Sequence, residues 1–461
     1  MLLHLVQRTP LSQGVRRTNL VVSQGGASFR TLQYFDASKN DLKRFGSPTT
    51  EYNRSFRTSS SRSSRYIRKR GFRTSCSRSD TSANALFSSS LSKPTREPFT
   101  ILFCGRDAFS CAVFSEVHRA KDVWNDLHIT TNPDVKTGRR GSRLDISPLK
   151  TLAGSLGVPV HTIPKEKTAF KHWLPPPPFT SQQPSNGSEP TFSPAPSHLL
   201  ITASFGRILP APILRLFPST QRLNVHPSLL PAYRGPAPIQ RVLMAGEPET
   251  GVCVIEMGEV KRKEGKVVDA GGIWGVERMS VPEDATFLEM QAKLAESGGK
   301  LLVQVLRDML SGTANRISQG PLTPSTPHAP AISANDSTIT FTTQSASTIA
   351  RLERAIGHQR ALSVPAGLPD GRAVTLAGLR VLPYEMHPTI SGSNVEDDGP
   401  GTAQYSPQTK SMLVKCADGM WLSVERLQTQ DRVMVKAKEW WNGLKGNGLV
   451  KDGRFRFGRE F

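Results

Sequence analysis

A chain of 461 residues with 37% hydrophobic residues and a formal net charge of +21 is too long for one core. One core rarely exceeds about 250 residues, so we expect two or three domains and some segments outside any core. Its five cysteines form no CxxC pair, which argues against a zinc site or a disulfide framework, and no apolar run approaches about 18 residues, which argues against a membrane span.

The first fifth of the chain carries most of the net positive charge. Residues 1–96 contain 18 Lys and Arg against four acids, and they begin with the apolar and basic stretch Met1–Arg8. An acid-poor, Arg-rich and Ser-rich start predicts a mitochondrial transit peptide and a disordered basic leader, hence a location in the mitochondrial matrix. The alternative is a basic tail that binds RNA or a membrane through the run 62–73.

The next segment begins with an α/β pattern. The apolar run Phe99–Cys104 predicts a strand, and Phe109–Ala120 predicts a helix after a short turn. The turn, Gly105–Ala108, lacks the GxGxxG pattern, so a nicotinamide or flavin dinucleotide is not supported.

Strands and helices then alternate, which predicts an α/β domain with a mostly parallel sheet. We predict this domain over residues 97–312, with strands at Leu199–Ser204, Arg222–His226 and Gly251–Met257, helices near Ile146–Leu156, Ala237–Ala245 and Phe287–Leu310, and a Pro-rich insertion at 175–196. Residues 313–336 are predicted as a linker, because Pro321–Pro330 is rich in Pro and Thr.

A small β-rich domain is predicted after the linker, over residues 337–461. Its predicted strands are Thr338–Thr342, Arg372–Leu376, Ser411–Lys415 and Trp421–Val424, and the polar stretch 387–408 is predicted as a disordered insertion.

The most informative segment is Ile201–Met257, and within it Leu223–Gln240 reads LNVHPSLLPAYRGPAPIQ. Asn224 and His226 are two residues apart, so in a strand both side chains project from the same face. Pro227 then ends the ladder, which leaves both groups at a carboxyl strand end, where doubly wound sheets bind ligands. On spacing alone, the two side chains could equally serve to tie the following loop by hydrogen bonds.

This segment resembles the core motif of the folate-dependent formyltransferases, in which Asn-x-His runs into Ser-Leu-Leu-Pro and then Arg-Gly. Its flanks are similar to the methionyl-tRNA formyltransferases in particular: Phe205–Pro210 resembles Tyr-Gly-x-Ile-Leu-Pro, and Gly235–Gln240 resembles Gly-Ala-Ala-Pro-Ile-Gln. The resemblance extends over roughly residues 99–310. It implies a Rossmann-like formyltransferase domain followed by a small OB-like domain.

The resemblance also implies a reaction and its catalytic residues. Formyl transfer from 10-formyltetrahydrofolate to an amine forms a tetrahedral species with a negative oxygen, which requires hydrogen-bond donors and neither a metal nor a covalent enzyme intermediate. Asn224 and His226 would be the donors, and Asp269, in Asp269–Gly271, would keep the imidazole charged and help to remove the amine proton. Here the sequence departs from the family, because Ala270 replaces Thr and the preceding loop is longer. The alternative for Asp269 is a surface turn.

Binding residues follow from the same resemblance. The folate pocket would be lined by Ser228, Leu229, Leu230 and Pro231, although the leucines could equally pack in the core. The partner would be initiator methionyl-tRNA bound to a monomer, through Arg139, Arg140 and Arg143 in one loop and Lys436 and Lys438 in the C-terminal domain. A solvated charge cluster is the alternative for the arginines.

Two other functions stay open at this stage. One is a formyltransferase that acts on a small amine, such as glycinamide ribonucleotide or an amino sugar. The other is an inactive relative that binds organellar RNA through its basic segments.

Overall fold

The computed structural model describes residues 96–180, 195–259, 268–388 and 399–458. The predicted leader therefore lies outside the described residues, except for Arg96. In chain order the first part contains β1 Phe99–Cys104, α1 Ala108–Arg119, β2 Trp124–Thr131, β3 Val135–Thr137, β4 Arg143–Asp145, α2 Pro148–Ser155, β5 Val160–Thr162, α3 Lys167–His172, β6 His198–Ala203, α4 Ala211–Leu214, β7 Arg222–His226, α5 Pro238–Ala245, β8 Glu249–Glu256, β9 Ile273–Ser280 and α6 Phe287–Ser311. The second part contains α7 Ala346–Ile356, β10 Leu362–Val364, β11 Val374–Val381, β12 Thr402–Ser406, β13 Ser411–Lys415, β14 Trp421–Thr429, β15 Val435–Lys436, α8 Ala437–Gly446 and β16 Phe455–Arg456.

The first part is built on a mostly parallel sheet, as the sequence predicts. The strand order is β5-β2-β1-β6-β7-β8-β9. The first five strands pair in parallel, whereas β8 and β9 run antiparallel to their neighbours. All six residues of β1 are buried, which explains its uninterrupted apolar sequence: a central strand is covered on both faces.

Helix α6 covers one face of this sheet. It begins with a capping box, in which the Thr286 hydroxyl accepts from the Glu289 backbone and the Glu289 side chain accepts from the Thr286 backbone. It ends at Gly312, whose φ of 77° is left-handed. Gly298 lies against Val225 and Val252, so the helix approaches the middle of β7 and β8 closely. Strand β7 carries Asn224 and His226, and β8 follows the Leu223–Gln240 segment, so α6 packs directly against the two strands that flank this loop.

The second part is an antiparallel sheet with the order β10-β11-β14-β13-β12-β16, and β15 pairs with β14. The prediction of a β-rich domain is confirmed. Helices α7 and α8 are additions that the sequence analysis did not predict. Helix α7 begins at an N-cap, Ser345, whose side chain accepts from the Thr348 backbone, and it buries Ile349, Leu352 and Ile356.

Two predictions in this part require correction. The predicted strand Thr338–Thr342 is a turn, because the Thr340 N–H donates to the Gln344 side chain and only Thr338 forms an isolated bridge, with Ser363. The stretch 387–408 is predicted as a disordered insertion; residues 389–398 lie outside the described residues, but residues 402–406 form β12, which is paired on both edges. This strand has a polar sequence and lies between β13 and β16 in the sheet.

The two parts contact each other through α5 and α7. Across this contact Arg241 on α5 donates to both carboxylate oxygens of Asp336, at 2.6 and 3.0 Å. Burial raises the pKa of Asp336, but hydrogen bonds from Arg241 and Ser333 outweigh burial and lower this pKa to about 2. In the described ranges, none of the helices is long and apolar enough to cross a membrane.

Candidate active site

Strand β7 delivers Asn224 and His226 to the carboxyl end of the sheet. Both side chains lie on one face because they are two residues apart in an extended strand. The strand ends at His226, and Pro227 begins the loop. Strand β6 fixes the other side of Asn224: Thr202 is its register partner, and the Thr202 hydroxyl donates to Asn224 Oδ1 at 2.7 Å.

Asp269 lies beside both residues. Asn224 Nδ2 donates to Asp269 Oδ1 at 3.4 Å, and His226 Nδ1 lies 3.7 Å from Asp269 Oδ2. The second distance exceeds that of a hydrogen bond, so this contact is electrostatic. The side chain of His226 is 5% exposed and that of Asp269 is 19% exposed, so the carboxylate is the group that a substrate would reach first. The structure therefore brings the three predicted catalytic side chains together.

The orientation of the imidazole differs from the simplest expectation. His226 Nε2 lies 3.0 Å from the Tyr233 carbonyl oxygen. Because a carbonyl only accepts, Nε2 is assigned the N–H, and only Nδ1 faces Asp269 and Asn224. The sequence indicated the imidazole but not the backbone carbonyl that orients it.

Asp269 is held in a left-handed turn, with a φ of 54°. Aspartate tolerates this conformation better than most residues. Two glycines make the turn possible. A Cβ at Gly271 would lie 1.9 Å from the Glu256 carbonyl oxygen, and at Gly235, with a φ of 124°, it would lie 2.5 Å from the Ala329 carbonyl oxygen. The Gly235 N–H then donates to Asp269 Oδ2 at 3.1 Å.

The Ser-Leu-Leu-Pro loop combines packing and shaping roles. The buried Ser228 hydroxyl donates to the Ala232 carbonyl at 2.9 Å, so its own hydrogen bond lies within the loop. Leu230 packs in a small cluster with Cys253, Ile255 and Ile273, whereas Leu229 is half-buried. Leu230 thus has the core role that the sequence left open, and Leu229 and Pro231 are the side chains of this loop that remain partly accessible.

Residues of the predicted linker contribute to the site, which sequence reasoning missed. Gln319 Nε2 donates to the carbonyl oxygens of Asp269 and Gly271, both at 2.8 Å, and Gln319 Oε1 accepts from the Arg234 guanidinium. Burial lowers the pKa of Arg234, and the Asp269 carboxylate opposes this shift. The Arg-Gly pair was a visible signal for Arg234, but nothing in the local sequence indicated Gln319.

The predicted tRNA-binding residues lie on two surfaces. Arg140 is in the tight turn of the β3–β4 hairpin and Arg143 begins β4; both are exposed. The side chain of Arg139 lies outside the described part of the structure. Lys436 and Lys438 are exposed at the start of α8 in the second part. Arg140 and Arg143 belong to the part that carries the catalytic candidates, whereas Lys436 and Lys438 belong to the second part. The two basic surfaces are therefore far apart in the sequence.

The four cysteines in the described part of the chain offer no nucleophile. Burial raises the pKa of the Cys104, Cys253 and Cys416 thiols, and burial with the Asp107 charge raises the pKa of Cys111 to about 11. Among the residues that the structure describes, no cluster of three His, Cys, Asp or Glu is suited to hold a metal ion.

Two sequence families match this chain. Residues 144–306 match the family described as formyl transferase, and residues 331–445 match the family described as formyl transferase, C-terminal domain. The first match includes all three catalytic candidates.

Several curated proteins are similar along the chain. It is 30% identical over 348 residues to the methionyl-tRNA formyltransferase of Myxococcus xanthus, which covers 75% of this chain and 95% of that protein. It is 34% identical over 221 residues to the methionyl-tRNA formyltransferase of Listeria innocua, covering 48% of this chain and 62% of the relative. It is 32% identical over 245 residues to the mitochondrial methionyl-tRNA formyltransferase of Homo sapiens, covering 53% and 58%. The chain thus spans less than two thirds of the length of the last two relatives.

Among solved structures, HypX from Aquifex aeolicus aligns with a TM-score of 0.45 at 15% identity, over 76% of this chain and 50% of that chain.

Proposed function

The chain belongs to the methionyl-tRNA formyltransferase family, and we propose that it transfers the formyl group of 10-formyltetrahydrofolate to the amino group of methionine on initiator methionyl-tRNA. One observation carries the proposal: the Asn224 amide, the His226 imidazole and the Asp269 carboxylate meet at the end of one strand.

The chemistry requires each of these groups. When the amine lone pair forms a bond to the formyl carbon, the formyl oxygen becomes negative, and donors aimed at it lower the barrier. Asn224 Nδ2 has two hydrogens, of which one is directed to Asp269. The other can donate to the formyl oxygen. His226 Nδ1 lies 3.7 Å from Asp269 Oδ2, and in the imidazolium form this nitrogen would supply a second N–H beside that carboxylate.

Asp269 is also suited to relay the amine proton. As the new C–N bond forms, the amine loses a proton, and as the bond to the folate nitrogen breaks, that nitrogen takes one up. The partly exposed Asp269 carboxylate is within reach of both events, directly or through a water molecule. No oxidant, reductant or covalent enzyme intermediate enters this balance.

Substrate binding is proposed for two regions. The loop Ser228–Pro231 presents the half-buried Leu229 beside main-chain polar groups, which suits a flat pterin with apolar faces and a polar rim. The exposed Arg140 and Arg143, together with Lys436 and Lys438, supply positive charge for tRNA phosphates. We propose that Arg139 belongs to the same group.

We also propose a location and an oligomeric state. Relatives from Homo sapiens and Rattus norvegicus are named as mitochondrial, and residues 1–96 have the composition of a transit peptide. We therefore place the protein in the mitochondrial matrix, where a monomer would bind one initiator tRNA.

The test is formyl transfer by the full chain. The protein is incubated with methionyl-tRNA and a formyl-labelled reduced folate, and the label should appear on the methionine amino group. Elongator methionyl-tRNA and an amino sugar are parallel substrates. Label on the amino sugar alone would favour the small-amine formyltransferase, and tRNA binding with no transfer to any substrate would favour the inactive RNA-binding relative.

A further inference from the structure

Gln319 reaches the active site through a short extension of the sheet. Ile317 pairs with Ile273 at the start of β9 by two backbone hydrogen bonds, at 2.8 and 3.0 Å. Because the pairing is antiparallel, two residues further along one chain lie opposite two residues back along the other, so Gln319 lies opposite Gly271. The register of the Ile273–Ile317 bridge therefore places the Gln319 side chain next to the Asp269–Gly271 turn.

Both the nitrogen and the oxygen of the Gln319 amide form hydrogen bonds. Its Nε2 donates to the Asp269 and Gly271 carbonyl oxygens, each at 2.8 Å, while its Oε1 accepts from Arg234 Nε at 3.0 Å and from a second nitrogen of that guanidinium. These partners fix which end is oxygen and which is nitrogen, since a carbonyl cannot donate and a guanidinium cannot accept.

These bonds close a ring around the candidate catalytic acid. The Asp269 carboxylate accepts from the Gly235 N–H, Gly235 follows Arg234 in the chain, Arg234 bonds Gln319, and Gln319 bonds the Asp269 carbonyl. The backbone of Asp269 is thus tied to the same loop that receives its side chain. Gln319 holds the two carbonyls of this left-handed turn, and so fixes the backbone from which the carboxylate extends toward the Gly235 N–H and Asn224 Nδ2.

We propose that Gln319 is a positioning residue, which holds the Asp269 carboxylate against His226 Nδ1 and Asn224 Nδ2 without touching either substrate. The inference rests on the proposed formyl transfer. It assigns a role in that reaction to the segment between the two parts of the chain, which the sequence predicts as a linker.

Three variants of the full chain test the role. Gln319→Ala removes both contacts, and Gln319→Glu keeps an acceptor for Arg234 but turns a carboxylate oxygen toward two carbonyl oxygens. Ser318→Ala, at an exposed neighbouring position, is the matched control. Displacing a catalytic group by about 1 Å costs up to about 100-fold in rate, so we expect kcat to fall by about 10- to 100-fold in both Gln319 variants. We expect the KM for methionyl-tRNA to stay within about threefold, because the basic surfaces are unchanged.

A second background separates positioning from folding. If Gln319 acts by orienting the Asp269 carboxylate, Gln319→Ala should lower kcat in the wild-type background and have almost no further effect where Asp269→Ala is present. A lower folded fraction would instead lower kcat by the same factor in both backgrounds.

Each outcome has one meaning. If wild-type protein transfers no formyl group to methionyl-tRNA, the proposed function fails, whatever Gln319 does. If wild type is active and both Gln319 variants keep kcat within about twofold of it, the positioning role is wrong. It is also wrong if Gln319→Ala lowers kcat by the same factor in the wild-type and Asp269→Ala backgrounds, because that pattern indicates a loss of folded protein.

Discussion

The hydroxyl of Thr202 should control how Asn224 presents its amide, and Thr202→Val tests this. Thr202 is 6% exposed and donates to Asn224 Oδ1 at 2.7 Å, its shortest hydrogen bond. Valine keeps the branched shape and puts a methyl group in place of the hydroxyl, so the hydrogen bond to Asn224 is lost. The Asn224 amide then loses the hydrogen bond at Oδ1 that keeps Nδ2 directed toward Asp269 Oδ1, 3.4 Å away.

The expected decrease in kcat of Thr202→Val depends on the contacts that still orient the Asn224 amide. A flipped Asn224 amide would turn Oδ1 toward the Asp269 carboxylate, and two acceptors repel, so Asp269 still favours the present orientation. What is lost is one neutral hydrogen bond, about 1 kcal/mol. Such a loss corresponds to about a fivefold decrease in kcat, whereas removal of the Asn224 donor itself should cost about 100-fold or more.

A double-mutant cycle makes this prediction specific. We expect Thr202→Val to lower kcat in the wild-type background and to have almost no further effect when Asn224→Ala is present, because its influence passes through that amide. Thr250→Val is the control: Thr250 is buried on β8, and in the described part of the chain its hydroxyl has no hydrogen-bond partner. Equal losses from Thr202→Val in both backgrounds, or an unchanged kcat in the single variant, would refute the reasoning.

Three further predictions concern catalysis, tRNA binding and stability. Asn224→Ala and His226→Ala should each lower kcat by about 100-fold or more with unchanged circular dichroism, as expected for loss of a transition-state donor; near-normal turnover in both would remove their proposed roles. Arg140→Ala and Arg143→Ala should raise the KM for methionyl-tRNA and make it less salt-dependent, with kcat nearly unchanged; an unchanged KM at low and high salt would count against a phosphate contact. The lowered pKa of Asp336 stabilises the fold above its unfolded pKa, near 4, and this stability is lost as the pH falls toward about 2. Asp336→Asn should therefore lower the melting temperature at neutral pH and flatten its dependence on pH in that acidic window, and an equally steep dependence in the variant would contradict the assignment.

The local sequence was sufficient for β7. The strand Arg222–His226 has the predicted bounds, because an alternating apolar pattern ends at a proline that cannot continue the ladder. Strand β9 was not predicted, since it is half-exposed and includes the charged pair Glu277 and Arg278. An edge strand that pairs on one side with β8 needs little apolar sequence, so its signal is weak.

The second part was predicted less well for a related reason. Short β-like runs dominate the pattern of this region, and α7 was not predicted, although Ser345 is an N-cap and Ile349, Leu352 and Ile356 follow helical spacing. The polar sequence of β12 gave no strand signal because its pairing depends on β13 and β16, which lie later in the chain.

The site itself was predictable only in part. Asn224 and His226 share a motif, but Asp269 is 45 residues beyond Asn224, and only resemblance to a family suggested that they meet. Thr202 and Gln319 had no signal at all. Their roles depend on the register of β6 against β7 and of Ile317 against Ile273, and register is a tertiary property.

The catalytic candidates are held in place by two different kinds of contact. Asn224 and His226 belong to a strand that is hydrogen-bonded on both edges, so their backbone cannot move without disrupting β6 or β8. Asp269 instead belongs to a turn that side-chain hydrogen bonds hold in place. Local opening is easier where fewer backbone pairs must break, so the acid should be the more mobile partner. A change within β6 or β7 should therefore alter the donors to the formyl oxygen, whereas a change in the segment that carries Gln319 should alter the proton relay.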